Sequence, residues 1–328
     1  MHPFTFQQAA DQQAAIKAHT TGKGAAYLGG GTNLVDLMKM NIATPSQVID
    51  INGLPLNTVE QLPNGRVRIG ALVRNSDLAY HPLIEQRYPL LSQALLSGAS
   101  PQLRNMATTG GNLLQRTRCS YFYDISFACN KRKPGSGCPA INGYNRSHAV
   151  LGGSDHCIAT HPSDMCVAMA ALDAVIVTAG PRGPRNIPFA GFHLLPGNTP
   201  DRETLLEPGE LIVAVELPDI PYATRSHYLK VRDRASYEFA LASAAVALDI
   251  SNGVIRAARV ALGGVGTKPW RSPEAEKALT GEKNDHAAYE AAATAALQHA
   301  KTYEYNAFKP ELARRTLIRA LATTGGMI

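Results

Sequence analysis

Apolar positions along this chain follow two periods, and they alternate through the first half. Residues 4–6, 25–28, 47–51 and 67–73 are short apolar or alternating runs that predict strands. Between them, the Ala/Gln-rich stretch 7–19 predicts a helix stopped by Gly22 and Gly24, and Leu34, Leu37 and Met38 recur at helical spacing. Ser76 is a candidate cap for a short helix reaching Ile84, residues 88–96 suggest another helix, and 100–105 read as a polar loop. Ser163 and Asp164 precede the apolar positions Met165, Val167, Ala168, Ala171 and Leu172, the pattern of a capped buried helix. Residues 174–178 and 210–217 predict strands of one sheet joined through a Pro/Gly-rich loop at 191–208. Beyond a linker at 218–224, runs at 228–232, 239–250 and 254–265 predict antiparallel strands, followed by helices near 273–279, 285–300 and 310–322. Strands followed by helices suggest a separate C-terminal α+β unit.

Composition adds little until charge is mapped. The 328 residues are 45% hydrophobic and 18% charged, ordinary for a globular protein and long enough for two or three domains. No run approaches the roughly 18 apolar residues of a membrane span. Residues 1–6 show neither a basic n-region nor an apolar h-region, so no signal peptide of the chain's own is expected. The net charge of +6 is concentrated: Arg116, Arg118, Lys131, Arg132, Lys133 and Arg146 face a single acid, Asp124, within 31 residues. A patch of this kind raises a polyanion-binding module as one reading.

Two glycine turns and a cysteine-rich segment hold the candidate chemistry. Gly29-Gly30-Gly31-Thr32-Asn33 lies between a predicted strand and helix, where backbone N–H groups can approach an anion. It is neither a G-x-G-x-x-G nor a P-loop motif, and alone it is equally consistent with a tight turn. A second turn, Thr108-Thr109-Gly110-Gly111-Asn112, changes that balance, because two such loops fit the two sides of a pyrophosphate. Cys119, Cys129, Cys138 and Cys157 lie between this turn and Ser163. Their spacings match neither a zinc ribbon nor a ferredoxin run, so cluster, zinc, disulfides and free thiols all remain open on spacing. The neighbouring bases would offset an anionic metal–thiolate centre, and Gly135, Gly137 and Gly143 would let the loop bend around it. Cys166 falls inside the apolar helix and reads as a small buried hydrophobe.

Ala26–Met38 (AYLGGGTNLVDLM), 107–115 (ATTGGNLLQ), 161–165 (HPSDM), 209–218 (GELIVAVELP) and 229–240 (LKVRDRASYEFA) resemble, in order, segments of the FAD subunits and domains of the xanthine oxidase family. The resemblance spans nearly the whole chain. Within the family, the cysteine insert most resembles that of the FAD subunits of bacterial three-subunit periplasmic aldehyde oxidoreductases, which contain an additional [4Fe–4S] cluster, as do the related subunits of 4-hydroxybenzoyl-CoA reductases. The fold implied is α+β: a two-part FAD-binding domain of the xanthine oxidase/CO dehydrogenase flavoprotein type over 1–222 (subdomains about 1–55 and 56–222, insert about 116–158), and a CO dehydrogenase flavoprotein-like C-terminal domain over 223–328. By the same resemblance, Leu28, Gly29, Gly30, Gly31, Thr32, Asn33 and Leu34 would wrap the FAD pyrophosphate, and Thr108, Gly110, Gly111 and Asn112 would hold its other side. Asp164 would bond the adenosine ribose, Ile212 would pack near the adenine, and Lys230 would reach the flavin end. Cys119, Cys129, Cys138 and Cys157 would ligate the [4Fe–4S] cluster. Where some relatives place an aromatic beside the flavin, this chain reads Gly98-Ala99-Ser100.

The expected function is therefore electron transfer within a heterotrimer. A large partner with a molybdenum cofactor would oxidise an aldehyde to a carboxylic acid, and a small partner with [2Fe–2S] clusters would pass the electrons to this FAD-binding subunit and an external acceptor. Export to the periplasm, folded, alongside a signal-bearing partner is expected, with the cytoplasm as the alternative. No HExxH or G-x-S-x-G motif offers independent catalysis. The rival enzyme reading is a free-standing FAD-dependent oxidase with a zinc-stabilised loop. The nucleic-acid reading lacks the aromatic–basic motifs such modules use.

Overall fold

The computed structural model describes all 328 residues, built around three sheets. The first is parallel: β1 (Thr5–Gln8), β2 (Ala25–Leu28) and β3 (Gln47–Asp50) in the order β1-β3-β2. Parallel neighbours need crossovers, supplied by the helices Gln12–Thr21 and Leu34–Lys39. The first helix starts later than the Ala/Gln pattern suggests. Gln7 and Gln8 extend β1, and Asp11 caps the helix by accepting the Ala14 N–H at 2.7 Å.

The second sheet comprises β4 (Val59–Gln61), β5 (Val67–Gly70), β6 (Val175–Gly180), β7 (Gly183–Pro188) and β8 (Leu211–Leu217). Its order is β4-β5-β8-β6-β7, antiparallel throughout. Two of its members gave no sequence signal. β4 is three residues long, and β7 reads GPRNIP, a composition that only an edge strand tolerates. Four short helices follow β5 in succession: Asn75–Ala79, Pro82–Arg87, Pro89–Ser97 and Pro101–Arg104. Ser76 therefore lies inside a helix instead of capping one, and Pro82 ends the continuity expected up to Ile84. The predicted loop at 100–105 is a helical turn, with Ser100 accepting the Leu103 N–H.

The third sheet, β9 (Ser226–Val231), β10 (Ala242–Ser251), β11 (Val254–Gly263) and β12 (Trp270–Arg271), is antiparallel in the order β12-β11-β10-β9. Both faces of β10 are buried, and its alternation decides which core each residue joins. Ala244, Val246 and Leu248 pack with the C-terminal helices Pro273–Leu279, His286–Leu297 and Lys309–Thr324. Ala245 points the other way, into the largest core, together with Tyr228 of β9 and the whole of the apolar helix Asp164–Ala171.

Residues 116–158 contain only one helical turn, Ser120–Tyr123, and a 3₁₀ turn, Pro139–Ile141. Side chains replace regular structure there. Asn130 donates to the His156 carbonyl at 2.9 Å and accepts from the Gly137 N–H at 2.8 Å. Fully buried Asn145 donates to the Ala140 carbonyl and accepts the Tyr305 N–H. Lys309, also fully buried, donates to the carbonyls of Ser147, His148 and Gly264, joining the insert to the C-terminal unit. Burial pulls its pKa down to about 7, while three carbonyl acceptors match the three donors of an ammonium. Lys309→Met should strand those carbonyls and lower the free energy of unfolding by about 2–4 kcal/mol, measured by denaturant titration. An unchanged midpoint would show that the lysine is dispensable to the junction.

Candidate functional site

The two glycine turns meet at the bottom of one cleft of ≈ 1450 Å³, which the fold opens between the first two sheets and the loop following β9. The N–H groups from Gly29 through Leu34 find no acceptor within the chain. Six consecutive donors without partners form a nest suited to an anion. Gly31 adopts φ +75°, which turns the loop toward the Leu34–Lys39 helix. Gly30 is required for a different reason than expected: a Cβ there would collide with the Met106 carbonyl oxygen, so its absence lets the first loop press against the approach to the second. Arg74 clamps this contact by donating to the Met106 carbonyl and, at 3.2 Å, to Asn52, whose amide holds the Gly29 carbonyl at 3.0 Å.

The second turn is the start of a short helix, Thr109–Leu113, with Thr108 as its cap accepting the Gly111 N–H at 3.2 Å. The Asn112 carbonyl oxygen receives both Gln115 and Ser163 at 2.6 Å, which leaves its amide nitrogen as the donor at the cleft. Asn33 accepts the Arg116 N–H at 3.0 Å, tying the first loop to the start of the insert. Three buried polar atoms on the cleft wall have no partner: Nδ2 of Asn33, Oδ1 of Asn75 and Nε of Arg118. Together with the free N–H row, they show a wall built to hydrogen-bond a polar ligand with phosphate and ring groups.

Asp164 also lines the cleft, in the first turn of its helix. Its Oδ1 accepts the Tyr228 hydroxyl at 2.6 Å and its Oδ2 accepts Lys230 at 2.8 Å, with both side chains of the ion pair nearly buried. Tyr228 and Lys230 are two apart on β9 and so share a face. Burial and the adjacent carboxylate push the Tyr228 phenol well above its ordinary pKa and keep it a donor. Lys230 thus sits on Asp164, and it also donates to the Ser97 carbonyl at 3.0 Å. Ile212 lies in the sheet core on β8, away from the cleft lining. Thr32, Asn33, Gly111, Asn112 and Asp164 line the cleft directly, whereas Leu28, Gly29, Gly30, Gly31, Leu34, Thr108 and Gly110 form the backbone and packing behind them.

Several cleft residues lacked a recognisable signal. Arg118 donates to Asp36 at 3.1 Å and lies against the Phe239 ring. Tyr237 and Phe239 are half-exposed aromatics on the cleft, and Tyr237 has φ +52°. Exposed aromatics in the otherwise polar run 232–240 were the one available clue. Ala99, at φ +51°, lines the wall beside Gly98, so the aromatics come from the loop after β9.

All five cysteines are free thiols. Cys119, Cys129, Cys138 and Cys157 line one small cavity, with Phe122, Ala140 and His148 in its wall. The Cys138 and Cys157 side chains are hydrogen-bonded; this lowers the pKa of Cys138 and, with burial, raises that of Cys157. Burial pushes Cys119 up to about 11, and His148 Nε2 lies 3.1 Å from its sulfur. No three of these four sulfurs fall within 4.8 Å of one another, a wider spread than the about 3.8 Å edges of a tetrahedral zinc–thiolate site. The charge reading needs correction: the basic segment is largely paired with acids from elsewhere. Glu203 takes both Arg116 and Lys131 at 2.7 Å, Asp36 takes Arg118, and Asp233 takes Arg146. Only Arg132 and Lys133 lack a carboxylate partner, which removes the polyanion-binding surface.

Residues 2–220 match the family described as FAD binding domain in molybdopterin dehydrogenase, and residues 227–324 match the CO dehydrogenase flavoprotein C-terminal domain. The chain belongs to the FAD-binding medium subunits of the xanthine oxidase family. Medium subunits in this family belong to molybdenum-hydroxylase oxidoreductases. The chain is 52% identical over 98% of its length, and 98% of the relative's, to the aldehyde oxidoreductase FAD-binding subunit PaoB of Escherichia coli K12. It is 29% identical to the glyceraldehyde dehydrogenase medium chain of Sulfolobus acidocaldarius, over 86% of this chain and 84% of that one. Among solved structures, carbon monoxide dehydrogenase from Hydrogenophaga pseudoflava matches with a TM-score of 0.77 at 28% identity, covering 99% of this chain and 98% of that one. The free N–H row and the unpartnered Asn33 and Asn75 atoms fit the FAD that defines this medium-subunit family.

Two substitutions test the cleft. Gly30→Val should abolish FAD retention by driving the two loops apart, read as the flavin-to-protein absorbance ratio of the purified subunit. A full complement of flavin in that variant would refute the close approach as a requirement. Lys230→Met leaves the Asp164 carboxylate buried without its cation, at a cost of about 3–5 kcal/mol in unfolding free energy. The double variant Lys230→Met/Asp164→Asn should recover part of that loss, and a double variant no more stable than Lys230→Met would sink the account.

Proposed function

We propose that this chain is the FAD- and [4Fe–4S]-binding electron-transfer subunit of a molybdenum-containing aldehyde oxidoreductase. The observation behind it is adjacency: Arg118 lines the FAD cleft, and Cys119, the next residue, lines the four-thiol cavity. When bound, FAD supplies a two-electron redox centre and an iron–sulfur cluster a one-electron relay. The chain's part is placement. Gly29 to Leu34 offer N–H donors to the pyrophosphate, Asn112 offers an amide, and Asp164, fixed by Tyr228 and Lys230, offers remaining carboxylate lone pairs to a ribose. Tyr237 and Phe239 close the cleft toward solvent at the position where a ring system would be shielded.

Cys119, Cys129, Cys138 and Cys157 are the proposed cluster ligands. The wide sulfur spread and largely apolar wall suit an inorganic core larger than one ion. His148, held neutral by burial that pushes its pKa down to about 4, would offer Nε2–H to the Cys119 thiolate. The likeness to PaoB and the Sulfolobus chain supports aldehyde oxidation, and the proposed partners are a molybdenum-cofactor large subunit and a [2Fe–2S] small subunit. The periplasm is the proposed compartment, reached folded with a signal-bearing partner; fractionation finding active complex only in cytosol would reject it.

Cys138→Ser should remove about four irons per chain and the broad visible absorption of the cluster, with FAD retained because the glycine loops fold independently of that sulfur. Cys166→Ala should keep full iron. Iron analysis with low-temperature EPR of the dithionite-reduced complex reads both. Iron that persists in Cys138→Ser, or zinc filling the four-thiol cavity in place of iron, would overturn the ligand assignment.

A further inference from the structure

Cys166 is not surrounded only by apolar groups. His161 at the end of the insert, Cys166 in the first turn of the Asp164–Ala171 helix, and His193 after the Phe189–Phe192 turn come from three separate segments. One ligand atom from each lies within 4.8 Å of the other two. The two imidazoles meet edge to face, with centroids 4.4 Å apart. Cys166 is fully buried and His193 nearly so.

The hydrogen bonds fix what each ring offers. His193 Nε2 lies 2.9 Å from the Leu113 carbonyl, so Nε2 holds the proton and Nδ1 presents a lone pair. That Nδ1 is buried and has no partner. His161 Nδ1 accepts the Ser163 N–H at 3.4 Å, a long contact it would give up to ligate through that lone pair, while its buried Nε2–H has no partner. Buried polar nitrogens are nearly always satisfied, and the orphaned His193 Nδ1 lone pair beside a thiol and a second imidazole calls for an occupant.

We propose that His161, Cys166 and His193 form a mononuclear zinc site, distinct from the four-thiol cavity. Two imidazoles and a thiolate are a zinc donor set, and bond lengths of 2.0–2.3 Å place donors about 3.3–3.8 Å apart, a modest contraction from the present spacing. On binding, the Cys166 thiol gives its proton to solvent as the zinc–sulfur bond forms, with no change of oxidation state. His161 and His193 both line one surface cleft. Such a zinc pins the end of the insert to the helix that bears Asp164.

The purified complex, dialysed against a weak chelator, should hold one zinc per copy of this chain in addition to its iron. Cys166→Ala and His193→Gln should each lose that zinc with iron and FAD unchanged; alanine suits the buried helical position, so folding is preserved. Reloading with Co²⁺ should give ligand-field bands to the red of flavin absorption in the parent and none in Cys166→Ala. Absence of zinc from complex grown with zinc supplementation would overturn the site. So would copper in its place, zinc unchanged in Cys166→Ala, or zinc lost only in Cys138→Ser.

Discussion

The buried contact of Asp164 with Lys230 and Tyr228 is the constraint on which the site depends. It joins the helix following the insert to the first strand of the C-terminal sheet, and it does so at the wall of the FAD cleft. A carboxylate and an ammonium so deeply enclosed gain little net stability from pairing, but either one alone would be costly. The pair therefore acts as a registration device: β9 can pack on the Asp164–Ala171 helix only where both Lys230 and Tyr228 reach the carboxylate. Two units that share the largest core through Tyr228, Ala245 and Ala261 are thereby held at one spacing, and the loop that follows β9, bearing Tyr237 and Phe239, is delivered to the cleft mouth.

The same economy governs the glycine loops. Gly30 serves first to let Met106 approach, and only through that approach does the free N–H row of the first loop face the same cleft as Asn112. Arg74 and Asn52, distant in sequence from either glycine turn, hold that geometry. A site assembled in this way is sensitive to substitutions that never touch the ligand.

The insert shows how local charge can mislead. Its basic excess is satisfied by Glu203, Asp36 and Asp233, each from a different part of the chain, so the bases work as tethers that fix a segment almost devoid of regular structure. With Lys309 and Asn145 fastening its far side to the C-terminal unit, the four cysteines are presented to one cavity, and Cys119 follows directly on Arg118 of the cleft wall.

Periodicity and turn chemistry in the sequence determined the α+β class, the parallel strands around the first glycine loop, the capped helix at Ser163 and the two long C-terminal strands, because each is set by residues near one another in the chain. The glycine turns and four clustered cysteines marked where an anion site and a thiol centre could lie, but their spacing left a tight turn, zinc, disulfides and free thiols equally open. Short or proline-containing edges such as β4 and β7 escaped, because their pairing is stabilised by neighbours and not by their own composition. Only the tertiary structure decided that Lys230 would meet Asp164 and that Cys166 would sit beside two histidines. Those contacts join residues up to 66 positions apart, and no local pattern encodes which distant side chains burial will bring together.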